Sequence, residues 1–133
     1  MSTHKRPGAR GGKREDIGIY VRSSWEANYA RFLNWRKQRG EILCWEYEPD
    51  EFEFPVKKGS KFYTPDFKVW TSETKYEYHE VKGYMDATSK TKLKRFAKYY
   101  PNEHLVLIDA SYYRNMSKLL AGIIPNWETY KRR

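Results

Sequence analysis

Three side chains with the makings of a reaction centre sit close together in the chain. They are Asp66, in Thr64-Pro65-Asp66, and Glu80 and Lys82, in Glu80-Val81-Lys82. The segments Lys61 to Trp70 and Lys75 to Lys82 are rich in Tyr, Phe, Val and Trp, and the polar run Thr71-Ser72-Glu73-Thr74 lies between them. That pattern predicts two antiparallel strands and a turn. With the turn centred on Glu73, Asp66 falls opposite Glu80, and opposed residues project from the same face of a sheet. Lys82 shares that face. Two carboxylates opposed at roughly 5 Å repel each other, and the hairpin is destabilised unless something compensates them. A divalent cation reverses the sign: Mg²⁺ prefers hard oxygen ligands, is held by one or two carboxylates and keeps several waters, leaving positions for phosphate oxygens. A neighbouring ammonium can hold or activate an attacking water or stabilise charge on a phosphorane-like transition state. Pro65 suits a point where a strand bends or loses its partner, because proline removes a ladder donor. For the tripeptide alone, the competing reading is a solvated hairpin face on which Lys82 pairs with Glu80.

Other elements must position these residues. Upstream, Ser23-Ser24-Trp25-Glu26 has capping-box spacing and opens a helix running to about Arg39, with Gly40 as its stop. Trp25, Tyr29, Phe32 and Leu33, with Arg36 following, form its apolar stripe, while Arg31, Lys37 and Arg39 are expected in solvent. Glu26 has two readings, a capping carboxylate for the Ser23 amide or an acid directed at the Asp66–Glu80 site. Glu41 to Glu48 and Phe52-Glu53-Phe54 read as strands, with turns at Pro49-Asp50 and at Lys57 to Ser60. Gly83, after Lys82, is either an ordinary turn glycine or a place where a phosphate backbone comes close. Asp86 to Tyr100 has Leu93, Phe96, Ala97 and Tyr100 at helical spacing and ends at Pro101. On its other faces lie Lys90, Lys92, Lys94, Arg95 and Lys98, with no acid at the spacing that would pair them. Such a face is either simply solvated or meets phosphate. The apolar run His104 to Asp109 reads as a buried parallel strand reached by a right-handed crossover, and Tyr112 to Ala121 as a last helix. Asp109 is expected to cap near Ser111. The fold class is therefore α/β: a single domain with a mixed β-sheet flanked by helices, in the order α-β-β-β-β-α-β-α.

Pro65-Asp66 with Glu80-x-Lys82, set in this order of elements, resembles the PD-(D/E)XK nuclease superfamily, and the similarity of pattern spans roughly Ser23 to Asp109. The resemblance implies a restriction-endonuclease-like core and an Mg²⁺-dependent endodeoxyribonuclease, with Mn²⁺ able to substitute. It implies a metal held by Asp66, Glu80 and the Val81 backbone carbonyl, and Lys82 positioning the water. Many members carry a helical glutamate that reaches the metal site, and Glu26 is similar to it. Small, basic and dimeric Holliday-junction resolvases of phage or prokaryotic type are the closest in character, which makes branched DNA the expected substrate and a homodimer the expected state. A nicking, mismatch-repair or transposase-type nuclease of the same fold is the alternative within the superfamily. A non-catalytic nucleic-acid-binding module is the alternative outside it.

Composition narrows the remaining classes. A chain of 133 residues suits one domain, residues 17–133. The net charge of +9 predicts affinity for a polyanion, and 12 Tyr and 5 Trp leave rings for bases or a protein partner. Residues 1–16, with Lys5, Arg6, Arg10, Lys13 and Arg14 among glycines, read as a basic arm that gains order on DNA or as a terminus with incidental charge. The tail Lys131-Arg132-Arg133 adds to the same field. No long apolar segment or signal-peptide stretch is present, and Cys44 is the lone cysteine, so a reducing cytoplasm is expected, with no membrane partner. His4, His79 and His104 are isolated from one another and from Cys44, which argues against zinc. The phosphate-binding G-x-x-x-x-G-K-[ST] run and a serine nucleophile elbow are both absent. Alternation turns His79 away from Glu80, toward packing.

Overall fold

The computed structural model describes residues 10–129. In chain order the elements are β1 (Gly12–Arg14), β2 (Ile19–Val21), α1 (Ser24–Gln38), β3 (Cys44–Tyr47), β4 (Phe52–Glu53), β5 (Phe62–Tyr63), β6 (Phe67–Trp70), β7 (Tyr76–Lys82), α2 (Ala87–Tyr99), β8 (Leu105–Asp109) and α3 (Ala110–Leu120). The fold is α/β, with a mixed sheet in the order β3-β6-β7-β8 between helices. β3, β6 and β7 are antiparallel, and β8 joins β7 in parallel after the α2 crossover.

Strand alternation sorts the apolar residues into two layers. Phe67, Val69, Val81 and Ile108 face α1 and α3, where they pack with Tyr29, Leu33, Tyr113 and Met116. Tyr78 points the other way, into a smaller cluster with Phe54, Tyr63 and Phe96 of the β4–β5 region and α2. Each fully buried side chain of this size contributes about 1.5–3 kcal/mol, which is why the sheet keeps its register. In the β6–β7 hairpin the pairs Phe67↔His79, Lys68↔Tyr78, Val69↔Glu77 and Trp70↔Tyr76 are all symmetric about Glu73. Continuing that register sets Asp66 opposite Glu80.

Several elements depart from the sequence reading. Lys61 to Trp70 is not one strand but breaks at Thr64-Pro65-Asp66. Its first part, β5, pairs with β4 in a separate two-stranded ribbon, so the antiparallel part of the main sheet has three strands rather than four. Pro65 has no N–H to continue a ladder and forces the residue before it into extended backbone, so the chain changes partner there. β8 is an edge strand: Ile108 is buried, but Leu107 is 39% exposed. The basic arm expected over residues 1–16 does not extend that far, since Gly12–Arg14 pairs with β2.

Ser23 caps α1 by accepting the Glu26 N–H at 3.1 Å, and Gly40, at φ +76°, follows its end. Arg31, expected in solvent, is 5% exposed. Its guanidinium donates to Asp16, Asn28 and Glu128, and Arg14 donates to the same Glu128 carboxylate. This network joins the β1–β2 hairpin, α1 and the segment after α3. Among the described residues no buried side-chain nitrogen or oxygen lacks a partner, and no helix is long and apolar enough to cross a membrane.

Candidate active site

Where β6 starts and β7 ends, the hairpin ladder is replaced by side-chain bonds. Asp66 Oδ2 accepts the Val81 N–H at 2.8 Å, and Glu80 Oε1 accepts the Asp66 N–H at 3.2 Å. Each acid is thus held by backbone on the opposite strand. Tyr63 adds a third constraint by donating its hydroxyl to Glu80 Oε1 at 2.9 Å. Asp66 is buried, and with Glu80, Val81 and Lys82 it lines a cavity of about 410 Å³. In an antiparallel ladder a residue presents its N–H and C=O to the same edge, so the Val81 carbonyl lies on the β6 edge of β7, as its amide does.

Glu26 enters the same cavity from the first turn of α1. The cap uses the Glu26 backbone N–H, while the carboxylate accepts from the Tyr47 hydroxyl at 2.5 Å and from the Ser23 hydroxyl at 3.3 Å. Of the two readings of the carboxylate, its hydrogen bonds run to the Tyr47 and Ser23 hydroxyls rather than to the Ser23 amide, and it faces the cavity. Glu48 and Arg22 close the rim and pair at 3.2 Å. Glu48 has φ +49°, a left-handed conformation unfavourable for a side-chain-bearing residue. Its amide donates to the Asp66 carbonyl at 2.8 Å, so the strained turn supports the acid.

Burial pushes the Asp66 carboxyl well above its ordinary range, and the charges of Glu80 and Glu26 push it further. Burial also raises Glu80, to about 7, against the opposing pull of Tyr63, the Asp66 amide and Lys82. Glu26 is raised by burial, partly offset by Tyr47. Three acids thus disfavour one another's charge in one cavity, the condition that a bound cation relieves. Among the described residues no three His, Cys, Asp or Glu side chains gather closely enough to hold an ion between them. In donor chemistry, two carboxylates and a carbonyl are a set that Mg²⁺ accepts, and Asp66, Glu80 and Val81 supply those donor types on the cavity lining, with Glu26 in its wall.

The expected basic array divides. Lys92 lines the cavity, whereas Lys90, Lys94 and Lys98 are exposed along another face of α2 at i, i+4, i+8 spacing. Arg95 is committed elsewhere: it donates to the Ser60 carbonyl at 2.6 Å and to that of Lys58 at 3.3 Å. Arg14 is likewise engaged, by Glu128, and is no free arm charge. Lys13 and Arg10 are exposed, and Lys5 and Arg6 lie outside the described residues. Gly83 is exposed, and its missing side chain has a packing reason. A Cβ there would sit 2.8 Å from Trp25, whose ring stacks on Tyr113 at 4.0 Å. His79 points to the α1 side, bonded to Tyr29 and Glu77, and Asp109 caps α3 through the Tyr112 N–H.

Sequence reasoning missed Tyr63, Tyr47, Arg22 and Glu48. A signal was available for Tyr63, because a strand ending at Pro65 leaves Phe62-Tyr63 as its own short alternating piece. The description "protein of unknown function (DUF1064)" belongs to a family whose model matches residues 12–116. The chain belongs to the DUF1064 family. No curated protein and no solved structure matches it. The DUF1064 span runs from β1 into α3 and takes in every residue of the cavity, leaving out Glu128 of the buried network.

Proposed function

We propose that this DUF1064 protein is a metal-dependent endodeoxyribonuclease, using Mg²⁺ or Mn²⁺, that acts on branched DNA. The observation that supports it most is the crossed pinning of Asp66 and Glu80 beside Lys82 in one cavity. Uncompensated acids of this kind destabilise a fold, so their placement calls for a ligand that favours their charge.

Asp66, Glu80 and the Val81 carbonyl would hold the metal, which when bound supplies a Lewis acid for the phosphoryl oxygens and a more acidic water. Tyr63 keeps Glu80 oriented, and Tyr47 does the same for Glu26, which orients the assembly from the wall. Lys82 positions the attacking water and donates to the phosphorane oxygens as charge develops. Lys92, on the cavity lining, receives a flanking phosphate, Arg22 does so on leaving Glu48, and the ridge of Lys90, Lys94 and Lys98 follows the backbone beyond. Cutting a junction symmetrically needs two such sites, so a homodimer accompanies this reading.

The test is cleavage of junction, nicked, mismatched and linear DNA in parallel, with Mg²⁺ and then with EDTA. Lys82→Ala is expected to lower cleavage by about 10²–10⁴-fold while binding is retained. Absence of cleavage of every DNA by the wild type with either metal overturns the enzyme and leaves a binding module. Equal cleavage of linear and branched DNA overturns the junction preference.

A further inference from the structure

We propose that Phe62 is a stacking platform for an unpaired nucleobase at the cavity mouth, so that the substrate is DNA with single-stranded nucleotides beside the cleaved phosphate. The reference to a cleaved phosphate rests on the hydrolase reading above, whereas the stacking site rests on the following geometry. Of the large apolar side chains left in solvent among the described residues, Phe62 is the one that lines the Asp66–Glu80 cavity, and it is 45% exposed. Its neighbour Tyr63 turns inward to Glu80, so alternation gives Phe62 the outer face of β5. The Lys61 ammonium lies 5.8 Å from the ring centroid, and Glu53 is the cross-strand partner of Phe62.

The surroundings identify the occupant. Lys57, Lys58 and Lys61 are exposed around the β4–β5 loop, with Lys61 3.5 Å from Glu53 across the ribbon. The ring stands between these lysines and two acids, Glu53 opposite it and Glu51 on the cavity lining, and among the described residues no other exposed large apolar side chain lines the cavity, so it is poorly suited to an apolar protein partner. It matches a nucleotide, whose base needs a π-face and whose phosphates need cations. The loop is also already ordered, because Arg95 holds the Ser60 and Lys58 carbonyls against α2, so little conformational freedom is lost on binding. A base inside a duplex has both faces covered by its neighbours. Away from a duplex end or a nick, only an unpaired one can lie flat on Phe62.

The experiment uses the full chain in EDTA, with a single strand carrying one 2-aminopurine and the same sequence fully paired. Stacking quenches 2-aminopurine, so the wild type is expected to quench the single strand. Phe62→Leu, which keeps apolar bulk but no ring, is expected to abolish the quench and weaken single-strand affinity about 5- to 150-fold, the worth of one base–aromatic stack. Duplex affinity stays unchanged, and Phe62→Trp keeps the quench. A quench that persists in Phe62→Leu, is lost in Phe62→Trp, or an equal loss of affinity on both DNAs overturns the proposal. Cleavage with Mg²⁺ separates the two readings. A Phe62-dependent quench without any cleavage overturns the hydrolase alone, and cleavage without that quench overturns the stacking site alone.

Discussion

Asp66 and Glu80 are each held by the other strand's backbone, which leaves their mutual repulsion in place. That residue-scale fact has a pH signature. Glu80 titrates at about 7, against an ordinary 4.5, because burial disfavours its charge. Between those values the folded state binds more protons than the unfolded one, so metal-free stability falls as pH rises. Thermal melts in EDTA should show this decline, and Glu80→Gln should make it shallower, with Asp66 and Glu26, both also raised, keeping part of it; an amide oxygen can still accept from Tyr63 and Asp66. Mg²⁺ should raise the melting temperature more at about pH 8 than at about pH 5, where the acids hold protons. An unchanged slope in Glu80→Gln would refute the assignment. Asp66, Glu80 and Lys82 were legible from counting about a turn. Tyr47, Tyr63 and Arg22 were not, because a hydroxyl or guanidinium acquires its role from the partner that tertiary packing brings to it.

At the scale of elements, α1 and the β6–β7 hairpin could be read because their signals are local: a capping serine, a stop glycine and two alternating segments about a polar turn. The β4–β5 ribbon was hidden by its continuity with the strand after Pro65, and β1–β2 by its glycines and charges, which resemble an unstructured arm. Gly83 shows how a contact between elements escapes sequence reading. Gly83→Ala is expected to cost about 1–3 kcal/mol, since the added carbon meets a ring already stacked on Tyr113. Trp25 precedes Glu26, so chemical denaturation should report the loss and tryptophan fluorescence should shift with it. Arg95→Ala acts on the other side of the cavity. It should leave the melting temperature nearly unchanged while amide exchange accelerates at residues 57–60, where the Lys58 and Ser60 carbonyls lose their donor. Unaltered exchange there would show that the loop is ordered by other means.

Across the whole molecule, one ionic network ties together segments far apart in sequence. Burial opposes the charge on Glu128, but hydrogen bonds from Arg14 and Arg31 outweigh it and hold the carboxyl down at about 2. Glu128→Ala leaves Arg14 without its carboxylate and the buried Arg31 with Asp16 and Asn28 alone. The expected loss is about 3 kcal/mol near neutrality, measured by denaturant unfolding. The sign is opposite to that at Glu80: this stability is complete above the ordinary carboxylate range and fades as pH falls through it toward 2, so variant and wild type should converge in acid. A gap that persists there would mean that packing, not charge, dominates. The net charge of +9 was plain in the sequence. That two of its cations, Arg14 and Arg31, serve the fold rather than a polyanion depends on where Glu128 comes to lie.

The symmetry of the β6–β7 pairs about Glu73 makes the intervening turn a gauge. The turn touches neither acid, yet its length decides which residue faces Asp66. One inserted residue would slide β7 by a single step, bringing Glu80 toward the Tyr29–Phe67 layer and His79 into the cavity. In this chain the tolerance of a solvent-exposed loop to insertion or deletion is therefore a property of the chemistry, and loop length belongs with the reactive side chains among the features to hold constant in redesign.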